Sequence, residues 1–234
     1  MNTTAALIDT APPPATTALT KALLLCGVLA GPLYIVVGLA QMLTREGFDA
    51  RRHALSLLSN GDLGWIQISN FLLVGVLTIA GAVGVRRALH PGRAGTWGPI
   101  LLALYGIGLI GAGIFRADPA LGFPPGTPAE STGMSTHGLM HFVCGGIGFY
   151  SLIAACFVFA RRFTAQGRRG WVVYSSFSGV LFFVSFAAIA SGSASPVVIL
   201  GFYVAVAWIW IWHAALNVML LRSVPPTRYT SPPP

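Results

Sequence analysis

Lys21-Ala-Leu-Leu-Leu-Cys26-Gly-Val-Leu-Ala-Gly31-Pro-Leu-Tyr34-Ile-Val-Val-Gly38-Leu-Ala-Gln41-Met42 carries no charge after its first residue, and none follows until Arg45. A helix of about 20 apolar residues crosses the ~30 Å hydrocarbon core of a bilayer, so this stretch is long enough to span one. Five similar runs follow: about Leu63 to Val85, Trp97 to Phe115, Thr136 to Ala160, Trp171 to Ala190, and a sixth span from the Ser191–Pro196 turn to about Leu221. Composition points the same way. With 55% hydrophobic and 9% charged residues in 234, and a mean hydropathy of +0.74, the chain lacks the polar residues a wet surface needs. Backbone groups inside a bilayer must satisfy one another, which helices do within a single segment. The expected fold is all-α: a polytopic membrane protein with six transmembrane helices over residues 21–222 and no soluble domain.

The flanks read differently. Residues 1–20, rich in Thr, Ala and Pro, show no helical period and read as a disordered tail; residues 223–234 read as a Pro-rich tail. Gly38-Leu39-Ala40 would serve as a signal cleavage site, but the apolar run before it exceeds the roughly 7 to 15 residues of a signal core. Gly27 and Gly31 form a GxxxG pair for close helix approach, and Pro32 is expected to bend the first helix. Gly106, Gly108, Gly111 and Gly113 should leave one side of the third span thin enough for tight packing. Cys26, Cys144 and Cys156 all fall within spans, with no CxxC pair, so neither a disulfide framework nor a thiol redox motif is indicated.

Charge sets the expected orientation. Lys21, Arg86, Arg87, Arg93, Arg161, Arg162, Arg168, Arg169, Arg222 and Arg228 fall on one side, against Arg45, Arg51, Arg52 and Arg116 on the other, ten to four. Cytoplasmic flanks carry the positive excess, which places both termini in the cytoplasm. Every acidic residue except Asp9 then lies outside, as do both long loops. The net charge of +8 is spread over short flanks beside spans, without a basic domain or interleaved aromatics, so no nucleic-acid partner is expected.

The two long loops hold the chemistry. In residues 44–63, Ala54, Leu55, Leu57 and Leu58 are expected to form a short helix along the membrane surface, ended by Asn60-Gly61, with Asp62 as N-cap of the second span. Gln67 and Asn70 follow inside that span, where an amide needs a partner. The second loop begins Phe115-Arg116-Ala-Asp118-Pro, passes Glu130, and ends in His137-Gly-Leu-Met-His141. His137 and His141 share a helix face one turn apart, a spacing that suits two ligands of one zinc ion, with Asp118 or His53 as a third and a water as the fourth. The other reading makes His137 a cap and gives His141 a polar partner such as Asn70. Arg116 and Asp118 either bind a headgroup or pair with Asp49, Glu130, Arg51 or Arg52 to hold the loops together. Ser56 and Ser59 lie near His53, but nothing fixes a nucleophile there. His213 and Asn217 share a face of the sixth helix, at a depth that does not match His141 for a haem. Trp208, Trp210 and Trp212 point to different sides, as lipid anchors or packing residues.

The run Arg52-His53-Ala-Leu-Ser56-Leu-Leu-Ser59-Asn-Gly61-Asp-Leu-Gly64-Trp65-Ile-Gln67-Ile-Ser-Asn70-Phe71, with Gly75, resembles the bacterial membrane family known as domain of unknown function 998. Phe115-Arg-Ala-Asp118-Pro119, Gly122-Phe-Pro124 and His137-Gly138 with His141 look like that family's further signatures. The resemblance covers about residues 22–222; it implies six membrane helices and a bacterial inner-membrane location, and supplies no reaction. More distantly, Ser56, the Gly61 turn, Phe71 and His137-Gly138 are similar to features of the Frag1/DRAM/Sfk1 family, which implies a lipid ligand.

These readings place a polar pocket at the outer ends of spans two to four, lined by Arg52, His53, Gln67, Asn70, Arg116, Asp118, His137 and His141. The expected function is to bind or handle a lipid or other amphiphile, with Arg52 and Arg116 on an anionic headgroup. A zinc-dependent hydrolase using His137, His141 and Asp118 is the alternative. A transporter is disfavoured, because the charges stay near span ends and there is no internal repeat.

Overall fold

The computed structural model describes residues 14–129, 133–193 and 195–225. It contains helices α1 (Pro14–Thr44), α2 (Gly64–Leu89), α3 (Arg93–Ile114), α4 (Thr136–Ala165), α5 (Arg169–Ala190) and α6 (Pro196–Ser223), with a short 3₁₀ helix, Leu55–Ser59, between α1 and α2. All six long helices have the length and hydropathy to cross a membrane, and the protein is a multi-pass membrane protein. Each packs on the next in the chain, and α6 returns to α1, which closes the bundle. The two long loops therefore lie together at one end. The short connections between α2 and α3 and between α4 and α5, flanked by Arg-rich helix ends, lie at the other.

Several boundaries depart from the sequence expectation. Helix α1 begins at Pro14, so residues 14–20 are helical rather than tail. Proline is at home in a first helical turn, and Arg87 ties the extension down, donating from Nε to Thr20 Oγ1 at 3.0 Å and from Nη2 to the Thr16 carbonyl at 3.4 Å. Asp62 is not the cap of α2: Leu63 holds that position, with no side-chain hydrogen bond. The short helix expected here is a 3₁₀ helix, and its Leu57 and Leu58 are buried in a small second core with Ala117 and Phe123. That burial gives the loops a hydrophobic reason to fold on each other.

Glycine sets the helix spacing, and on α3 it does so on two faces rather than one. Gly106 packs against the Gly75 carbonyl and Ile79 of α2, and Gly113 against Phe71 and Leu72; Gly108 and Gly111 pack on Cys144 and Gly148 of α4. Gly27 and Gly31 likewise admit Asn217 and Trp210 of α6. Trp210 and Trp212 are core residues, and Trp212 Nε1 donates to Ser175 Oγ at 3.0 Å; Trp208, half-buried, donates to Ser178 Oγ at 2.9 Å. Helix α5 is held least tightly. Among its described residues only Ser175, Ser178, Gly179 and Phe182 are buried.

Candidate functional site

The loop end is stitched by polar side chains that bond to backbone carbonyls. Arg45 donates from Nη1 to the Leu58 carbonyl at 3.2 Å and from Nη2 to the Asn60 carbonyl at 2.6 Å, while its guanidinium lies over the Phe123 ring. Burial pushes its pKa below the ordinary arginine value, and Asp62 opposes that. Asn60 Nδ2 reaches across to the Ala117 carbonyl at 3.0 Å. The turn continues through Gly61 at φ +73°, where a Cβ would crowd Arg45 and Pro124.

His53 is the centre of this stitching. Its Nδ1 accepts the Asp49 amide at 2.9 Å, so Nε2 carries the proton and donates to the Leu121 carbonyl at 3.1 Å. The Tyr203 hydroxyl of α6 donates to the His53 carbonyl, and the imidazole packs between Phe48 and Phe123. Both ring nitrogens are committed, which leaves His53 no lone pair for a metal or a substrate proton.

Asp118 works as a latch. One carboxylate oxygen accepts the Ser135 amide at 2.8 Å, the other accepts the Ser135 hydroxyl, and that hydroxyl accepts the Gly138 amide at 3.0 Å as the cap of α4. A side chain at 138 would strike the Asp118 carboxylate. Around this latch Arg116, Asp118, Ser135 and His137 line an open polar recess with Asn60 and Gly61. Arg51 pairs with Asp49 in its own loop rather than across to the other, bonding from side chain and backbone; these bonds hold the Asp49 carboxyl down at about 2. Glu130, the further carboxylate expected to join the loops, lies outside the described residues.

Gln67 and Asn70 are buried elsewhere, between α1 and α2. Gln41 Nε2 donates to Gln67 Oε1 at 2.8 Å, and Asn70 Nδ2 approaches the same oxygen and the Tyr34 carbonyl, each at 3.4 Å. Asn70 is thus partnered by Gln67 and Tyr34, not by His141. Gln41, which the sequence reading passed over, supplies the strongest bond of the cluster. The remaining halves of the three amides, Gln41 Oε1, Gln67 Nε2 and Asn70 Oδ1, are enclosed without a partner among the described residues.

A different space opens one turn along α4. A cavity of about 160 Å³ lies among α2–α6 beneath the 3₁₀ helix, lined by Phe71, Leu109, Phe142, Phe149, Phe186, Phe202 and the Gly145-Gly146 pair, with Ser56 and His141 the polar residues of the lining. Apolar cavities near ~150 Å³ stay dry and accept a benzene-sized guest. Neither Gly145 nor Gly146 would bring a Cβ within 4 Å of another atom, so the pair forms a notch in α4. Phe142 of α4 and Ala190 of α5, both on its walls, are exposed, so the cavity is not sealed on the side of those two helices.

A family model described as "Protein of unknown function (DUF998)" matches residues 28–219. The chain belongs to the DUF998 family. No curated protein and no solved structure is similar enough to match. Of the residues read from sequence as one pocket, this DUF998 protein gathers Arg116, Asp118 and His137 in the recess and gives His141 to the cavity. It buries His53, Gln67 and Asn70 away from both linings and leaves Arg52 exposed, also outside them. Among its described residues no three His, Cys, Asp or Glu side chains form a group that would hold a metal ion. The cavity escaped sequence reading although Gly145-Gly146 was visible there, because a glycine pair reads equally as close packing.

Proposed function

We propose that this DUF998 protein binds or handles a membrane amphiphile, with the apolar part of the ligand in the cavity between α4 and α5 and its polar end toward the loops. The cavity carries the reading: it is apolar, has exposed wall residues on α4 and α5, and includes a histidine in its lining. Filling it with hydrocarbon from the bilayer restores dispersion contacts that an empty space forfeits. The recess with Arg116 and His137 lies about one turn, ~6 Å, nearer the loop surface along α4, where it would meet any headgroup that extends beyond the cavity. On this reading the loop end faces outward from a bacterial inner membrane.

The test is mass spectrometry of lipid retained by the purified protein. Gly146→Leu adds a side chain whose Cβ has open space around it and should lower retention several-fold, with the fold intact. Retention equal to wild type in the folded variant would sink the proposal.

A further inference from the structure

The imidazole of His141 is fixed by the end of another helix. Its Nδ1 lies 3.1 Å from the Ala112 carbonyl oxygen and 2.9 Å from that of Phe115. The last carbonyls of a helix have no partner within it, and here His141 supplies one for the C-terminal end of α3. Both neighbours are acceptors, so Nδ1 carries the proton. In the neutral ring that leaves Nε2 with a lone pair.

That lone pair has no hydrogen-bond partner among the described residues. His141 is 9% exposed, yet its Nε2 is not one of the fully enclosed unpartnered atoms, and the residue lines the cavity. The lining holds no Lys, Arg, Asp or Glu. A charged head drawn in here would lose its hydration with no counter-charge to replace it. A pure hydrocarbon would leave Nε2 unmet. The group that fits both facts is uncharged and donates a hydrogen bond.

We propose that the cavity takes an uncharged amphiphile with a hydroxyl head, the hydroxyl donating to His141 Nε2 and the chain leaving between α4 and α5. This rests on the cavity being the amphiphile site. Ser56, on the 3₁₀ helix, is the second polar residue beside the head. Nδ1 selects the tautomer and orients the ring; Nε2 reads the ligand.

Three probes separate donation from burial: 1-dodecanol, its methyl ether and dodecane, compared at equal mole fraction in phosphatidylcholine nanodiscs holding the full chain, with the unfolding midpoint as readout. The ether keeps the oxygen and loses the donor. In wild type the alcohol should produce a given rise in midpoint at about five-fold lower loading than the ether or the alkane, the scale of one hydrogen bond. His141→Leu should erase that preference, and Gly146→Leu should erase the response to all three. Equal response to alcohol and ether in wild type overturns the proposal, a comparison that needs no variant to fold. A stronger response to dodecyl phosphate or dodecyltrimethylammonium overturns it in favour of a charged head. Silence of every probe, with lipid retention untouched by Gly146→Leu, would instead remove the amphiphile site itself.

Discussion

Asp118 accepts from Ser135 twice, and Ser135 in turn caps α4. Removing the carboxylate frees the start of the second loop from the start of α4. Asp118→Ala should lower stability by about 1–2 kcal/mol, the scale of charge-assisted hydrogen bonds at an exposed site, while Asp118→Asn, which keeps an acceptor, should cost less. Urea or thermal unfolding in detergent measures both; an alanine variant as stable as wild type would make the latch incidental. Asp118 was legible in the sequence as either a ligand or a tie between loops and His53 as a candidate ligand, but the groups they bond to were not legible. Arg45, Asn60 and His53 bond to carbonyls of Leu58, Ala117 and Leu121, and every residue has a carbonyl, so no pattern in the sequence announces which one is met. A loop without regular structure must satisfy its backbone groups somehow, and polar side chains from a distant segment do so here.

At the scale of helices, the same residue type does opposite things on neighbouring faces of α4. Gly148 lies against Gly108 of α3, whereas Gly145 and Gly146 lie against open space. A Cβ at Gly108 would come 2.7 Å from the Cys144 carbonyl oxygen and 2.8 Å from Gly148 Cα, both backbone atoms that move only if the helices part. Gly108→Ala should therefore destabilise by about 1–3 kcal/mol through overpacking. Gly145→Ala should stabilise by about 0.5–1 kcal/mol, since it gains helix propensity and meets nothing. Unfolding of the two variants side by side decides it: a loss at 145 as large as at 108 would mean the notch is closed by packing. Helix number was legible because hydropathy over about 20 residues is a strong signal, whereas several helix limits were not. Which glycine faces a helix and which faces a cavity depends on rotation about the helix axis, and a run apolar on every side does not encode that.

For the whole molecule, the two ends differ in both charge and construction. One end carries Glu46, Asp49, Asp62 and Asp118 in long loops tied by Arg45, Asn60 and His53; the other carries Arg86, Arg87, Arg93, Arg161, Arg162, Arg168 and Arg169 at helix ends joined by short turns. Several of the second set also brace the structure, as Arg87 does on Thr20 and Arg168 does over Phe163 and Trp171. Positive residues close to helix ends are retained on the cytoplasmic side during insertion, so the Arg-rich end should face the cytoplasm and the loops and cavity the opposite leaflet. A fluorescent protein fused after Pro234 should then mature and glow, and alkaline phosphatase at the same point should stay inactive. Phosphatase inserted at Gly126, an exposed turn of the second loop whose φ is +92°, should be active. The reverse pattern would turn the molecule over. The amphiphile would then be drawn from the cytoplasmic leaflet, with His141 in the same place in the fold but facing a different pool of lipid.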